Sequence, residues 1–91
     1  MDIVFKALGD PVRLAIVDEL VARDGQTLFE LVVRLIEIHR FEISRQAVSK
    51  HLAVLENAGV IDVDRVGRTT VHRLNLGALT SIRAWLNERE S

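Results

Sequence analysis

Cysteine and tyrosine are absent from this 91-residue chain, proline occurs once, and the aromatic side chains are three Phe and one Trp. Without cysteine there is no disulfide scaffold, no thiolate metal ligand and no cysteine nucleophile, a composition that fits a reducing compartment. No run of about 18 uninterrupted apolar residues occurs, and residues 1–8 carry neither a basic leader nor an apolar h-region. Neither a membrane span nor secretion is expected, and a cytoplasmic location is. No Gly-rich phosphate loop, nucleophile elbow or paired-acid motif is present, so an enzyme is not expected and no cofactor is called for. Net charge is also scarce, −1 at pH 7. That balance alone argues against a nucleic-acid partner, because such domains usually draw affinity from neutralising phosphates.

Aliphatic surface, by contrast, is abundant, with 48% of residues apolar. The length gives one domain, residues 1–91, which buries only about 60% of its unfolded surface. So much apolar surface on so short a chain leads us to expect a homodimer whose association completes the core. The charge is unevenly spread. Between Arg40 and Arg73 lie six Lys/Arg against four Asp/Glu, a net +2, which leaves −3 for the remainder.

The single proline, Pro11, follows Asp10 and reads as the first residue of a helix that Asp10 caps. A short helix over Asp2–Leu8 precedes it, with Val4, Phe5 and Leu8 on one side, and Pro11 to Ala22 carries Leu14, Val17, Leu20 and Val21 at helical spacing. Asp24-Gly25 ends that helix. Thr27-Leu28-Phe29-Glu30 has the form of a capping box, opening a third helix through Leu31, Val32, Leu35 and Ile36 to about Ile38. A connection over His39–Ile43 leads to Ser44, a good N-cap for a fourth helix that reaches Asn57 and stops at Ala58-Gly59. Val60–Val66 and Thr69–Leu74 are rich in β-branched residues and read as an antiparallel hairpin. Leu76–Glu90 places Leu79, Ile82, Trp85 and Leu86 on one stripe of a last helix. The expected fold is mainly α with a small β-hairpin, order ααααββα, and the dimer is expected through the first and last helices, using Val4, Phe5, Leu8, Leu79, Ile82, Trp85 and Leu86.

If the fourth helix packs through Val48, Leu52 and Leu55, its first two turns turn Ser44, Arg45, Gln46, Ser49 and Lys50 outward, with His51 at the edge. Arg pairs with guanine and Gln with adenine in the major groove, while Ser and Lys suit bases or phosphates, and the N-terminal end of such a helix is the part that enters the groove. The hairpin adds Arg65, Arg68, Thr69 and Thr70, placed to reach a neighbouring phosphate strand or minor groove. Patterning alone also admits a plain solvated face, or a winged helix whose partner is another protein.

Phe5-Lys6-Ala7-Leu8-Gly9-Asp10-Pro11-Val12-Arg13-Leu14, then Ser44-Arg45-Gln46-Ala47-Val48-Ser49-Lys50-His51-Leu52, followed by Leu55, Ala58-Gly59-Val60 and Gly67-Arg68, resemble the arsenic-repressor (ArsR/SmtB-like) family of bacterial regulators over nearly the whole chain. The resemblance implies a winged helix-turn-helix homodimer that represses promoters by binding double-stranded DNA at a palindromic operator. Two departures stand out. The stretch from Leu35 to Ser44 is several residues longer than the family's brief turn, so Ile36, Ile38, Phe41 and Ile43 are expected to bury extra surface, with an effector pocket as the alternative. The family's metal ligands are also missing: the third helix has no cysteine motif and the last helix no histidine. His39, His51 and His72 lack the i, i+4 pairing and acidic partners of a zinc site, so no metal site is expected, and an effector or protein partner is left open.

Overall fold

The computed structural model describes residues 2–90. Its elements run α1 (Asp2–Leu8), α2 (Pro11–Ala22), β1 (Gln26–Thr27), α3 (Leu28–Glu37), α4 (Arg45–Asn57), β2 (Ile61–Val66), β3 (Thr69–Leu74) and α5 (Leu76–Glu90). The helices start where the sequence supplies caps. Asp10 Oδ1 accepts from the amides of Val12 (2.8 Å) and Arg13 (3.2 Å), and the Thr27–Glu30 capping box is complete at 3.0 and 3.1 Å. Ser44 Oγ accepts from Ala47 N at 3.1 Å, and Asn75 Oδ1 does the same for Ala78 N at the start of α5. The end of α4 is a Schellman closure: Gly59, at φ +76°, sends its amide to Glu56, and Val60 sends its amide to Leu55. Glycine takes that backbone conformation without the steric penalty a Cβ carries.

A strand that the sequence pattern does not predict, β1, pairs with β3, so the hairpin is the larger part of a three-stranded antiparallel sheet of order β1-β3-β2. Two residues are too short for period-2 alternation to register. The pairing also draws in side chains: buried His72 Nδ1 meets the Gln26 carbonyl at 3.0 Å, and Asp24 accepts from Leu74 N at 2.8 Å.

The core is built from Ala15, Ile16 and Leu20 of α2, Leu31 and Leu35 of α3, Val48, Leu52 and Leu55 of α4, and Ile61 and Leu74 of the sheet. The α2 stripe therefore differs from the expected one: Leu14 and Val21 lie exposed, and Ala15, Ile16, Glu19 and Leu20 face inward. An apolar face on nearly every side of α2 gave periodicity little to choose between, and packing against α3, α4 and β3 decided it.

The long α3–α4 connection is a loop rather than an extension of the helix. Arg40 adopts φ +62°, Phe41 N donates to the Leu35 carbonyl at 3.1 Å, and Phe41 and Ile43 return to pack on the core. Ile36 and Ile38 do not; both are exposed. The loop is anchored by Glu19, whose carboxylate accepts from Arg34 Nε at 2.9 Å and lies 3.0 Å from His39 Nε2. Burial raises the affinity of this carboxyl for its proton, but the hydrogen bonds and charges of Arg34 and His39 outweigh that, and Glu19 titrates below the ordinary 4.5. A group with a depressed folded pKa stabilises above its unfolded value and loses that contribution as pH falls through the folded one. Glu19→Gln is accordingly expected to cost on the order of 1–2 kcal/mol at neutral pH, discounted because Arg34 is half exposed. The difference from the parent should begin to narrow as pH falls below about 4.5, the ordinary carboxyl value, and close only below the depressed folded one, where the native carboxyl protonates. Urea titrations at pH 7 and pH 3.5 check this, and an equal gap at both sinks it.

Candidate nucleic-acid interface

Burial of Val48, Leu52 and Leu55 fixes which side of α4 faces away from the protein. Spaced four and three apart, they form one stripe, and the opposite side presents Ser44, Arg45, Gln46, Ser49 and Lys50, all exposed. The positive end of the α4 dipole and its free amides lie at this same Ser44–Gln46 end.

The wing comes to the same side. β2 and β3 are in register from Ile61↔Leu74 to Val66↔Thr69, leaving Gly67-Arg68 as a two-residue loop. Gly67 is at φ +64° while Arg68 is not in the positive region, the pattern of a type II′ turn with glycine first. This turn projects Arg68, and Arg65, Arg68 and Thr69 are exposed with Thr70 half-buried. Arg45 from the start of α4, Arg68, Thr69 and Thr70 from the wing, and Thr27, Leu28 and Phe29 at the start of α3 line one cleft of about 460 Å³. Residues that the sequence placed on separate elements are thus walls of one concavity.

The cations of this face are uncommitted. Arg45, Lys50, Arg65 and Arg68 form no ion pair among the described residues, whereas Arg34 is held by Glu19, Arg23 by Glu30, Arg73 by Asp64 at 3.0 Å and Arg89 by Glu88. Cations without an internal partner bind phosphate without first giving up a salt bridge.

His51 lies elsewhere. Its ring is half-buried, with Nδ1 3.1 Å from Arg13 Nη1 and 3.9 Å from Asp10 Oδ1, while Arg13 Nε donates to the Ala7 carbonyl. It ties the back of α4 to the α1–α2 junction. The carboxyl of Asp10 is raised by burial and lowered further by the Arg13 and Val12 amides and by His51 and Arg13, for a net downward shift. The expectation that the histidines lack acidic partners is therefore overturned for two of them, because the fold brings Glu19 to His39 and Asp10 to His51 across long sequence separations. No group of three or more metal-ligating side chains occurs among the described residues.

Sequence reasoning overlooked Phe29, which is 69% exposed beside Arg45 and Arg68 in the cleft. Its signal was available: it is an aromatic residue at the second position of a capped helix, off the Leu31–Leu35 stripe. Phe5 and Trp85, both expected in a dimer interface, meet each other, with ring centroids 4.8 Å apart and planes at 60°. They join α1 to α5 within one chain, and Arg89 lies over the Trp85 ring at 3.5 Å. Val4, Leu8 and Leu79 pack on the core, Ile82 is half-buried, and Leu86 stays exposed.

A three-stranded sheet with its hairpin beside a capped, outward-facing helix defines a winged helix-turn-helix protein. Residues 8–64 match a family model described as a helix-turn-helix domain. The chain is 44% identical over 86 residues to the HTH-type transcriptional regulator YuzN of Bacillus subtilis (strain 168), covering 93% of this chain and 94% of that one. It is 34% identical over 86 residues to the transcriptional repressor SdpR of the same strain, covering 94% and 88%. The solved ArsR-like transcriptional regulator from Rhodococcus sp. RHA1 matches with a TM-score of 0.74 and 36% identity, covering 97% of this chain and 73% of that one. The chain belongs to the ArsR/SmtB family of helix-turn-helix transcriptional regulators. These relatives are transcriptional regulators, not enzymes. No helix among the described residues is long and apolar enough to cross a membrane.

Proposed function

We propose that this protein represses transcription by binding, as a homodimer, an inverted-repeat operator in double-stranded DNA. Arg45 and Gln46 read base edges in the major groove, Ser44, Ser49 and Lys50 fix the helix against bases and phosphates, and Arg65, Arg68, Thr69 and Thr70 grip the flanking strand. His51 serves from behind, holding α4 to the α1–α2 junction. The observation that carries the reading is the shared cleft of Arg45 and Arg68, neither of which forms an ion pair among the described residues. The three histidines lie in separate settings: Glu19 for His39, Arg13 for His51, Gln26 for His72.

Dimerisation uses the α1–α5 side, where the Phe5–Trp85 contact braces two helices that leave Ile3, Leu76 and Leu86 exposed. A twofold axis there sets two copies of α4 about 34 Å apart, one helical turn of DNA. Sedimentation equilibrium at micromolar concentration is expected to give a dimer, and operator titration an endpoint of two chains per duplex. A folded monomer binding one chain per duplex refutes the arrangement.

A further inference from the structure

Between α4 and the wing lies a second hollow, of about 300 Å³, lined by Leu28, Ser49, Leu52, Ala53, Glu56, Val63, Thr70 and His72. It adjoins the Arg45–Arg68 cleft, with which it shares Leu28 and Thr70. His72 is 6% exposed. Its Nδ1 faces the Gln26 carbonyl at 3.0 Å, and a carbonyl only accepts, so in the neutral ring Nδ1 carries the hydrogen and Nε2 presents a bare lone pair. Nε2 has no hydrogen-bond partner among the described residues. It is not sealed off either: among the described residues Gln26 Oε1 is the one side-chain polar atom both fully covered and unpartnered. A nearly buried histidine that lines the hollow thus keeps an unused acceptor. Beside it are the exposed carboxylate of Glu56 and the hydroxyls of Ser49 and Thr70, and the other walls are apolar side chains from Leu28, Leu52, Ala53 and Val63.

We propose that this hollow is a binding site for a small protonated amine with a short apolar body, and that its occupant opposes DNA binding. The ammonium donates to His72 Nε2 and to the Glu56 carboxylate, both acceptors, and the apolar body lies against Leu28, Leu52 and Val63. An anion of the same shape is repelled by Glu56 and finds no donor on Nε2. Ser49 belongs to both the hollow and the DNA-facing side of α4, so the occupant displaces a group meant for DNA and separates the recognition helix from its wing. This second half rests on the DNA-binding reading above.

Benzylamine is the probe, with benzoate as the anionic control, followed by ¹H–¹³C spectra of the Leu52 and Val63 methyls and the His72 ring. Saturable shifts at these three residues with benzylamine and none with benzoate are expected, with Kd about tenfold weaker in Glu56→Gln and shifts lost in His72→Phe. Glu56 is exposed, so its substitution reads the site even where His72→Phe fails to fold. Shifts that do not saturate, that benzoate reproduces, or that persist unchanged in Glu56→Gln overturn the site. In a parallel DNA titration benzylamine is expected to weaken operator binding by the parent protein, and by Glu56→Gln only at about tenfold higher amine concentration. Unaltered DNA affinity with the site occupied overturns the antagonism. A parent protein with no preference for any DNA refutes the DNA reading, while the spectra still decide the ligand site.

Discussion

Arg45→Ala is expected to lower affinity for the operator about ten- to a hundredfold and to leave affinity for random DNA nearly untouched, because a bidentate base contact is worth about 1–3 kcal/mol of discrimination. Arg45 is the first residue of α4, exposed, without an ion pair among the described residues, and lines the cleft it shares with the wing. Arg68→Ala is the contrasting case. At the tip of a type II′ turn it is placed for phosphate, so its loss weakens every sequence alike and lowers the slope of log K against log salt by about one. Anisotropy titrations of both variants on specific and random duplexes at several salt concentrations separate the two roles. Equal losses on every sequence from both variants contradict the assignment.

Leu55→Ala is expected to be the most damaging change to stability, about 2–5 kcal/mol for a fully buried leucine whose cavity cannot collapse. Leu55 is 0% exposed, and its carbonyl receives the Val60 amide that closes α4. The residue thus joins the recognition helix to the strand that leads into the wing. A domain of this length has roughly 5–14 kcal/mol in all, so the midpoint should fall by roughly 10–30 °C. Thermal unfolding followed by circular dichroism, at matched protein concentration because dimerisation shifts the midpoint, measures it. A loss under about 1 kcal/mol means that α4 is not seated as described.

Local chemistry explains what was legible in the sequence. Asp10-Pro11, Thr27–Glu30, Ser44 and Ala58-Gly59 are caps whose partners lie within a few residues, and the helix boundaries they imply match the observed ones. The outward face of α4 followed from the Val48–Leu52–Leu55 stripe, which has one apolar side only. The features that sequence reasoning missed all depend on long-range juxtaposition. Glu19 reads as a charged residue on a surface helix until Arg34 and His39 arrive from α3 and its loop. His51 reads as the next residue of a polar face until Arg13, 38 positions away, meets its ring. β1 exists because β3 offers it an edge. Ile36 and Ile38 look like core because they are apolar, but they sit at the end of α3 and its C-cap, off the buried Leu31–Leu35 stripe.

The most direct test is a salt-controlled titration of the unaltered protein against fragments of its own upstream region, with random DNA as competitor. The account predicts a preference of about a thousandfold or more for one fragment containing an inverted repeat, weakening steeply as salt rises. Equal affinity for all fragments, or none, contradicts it and turns the Arg45–Arg68 face into a surface for a protein partner.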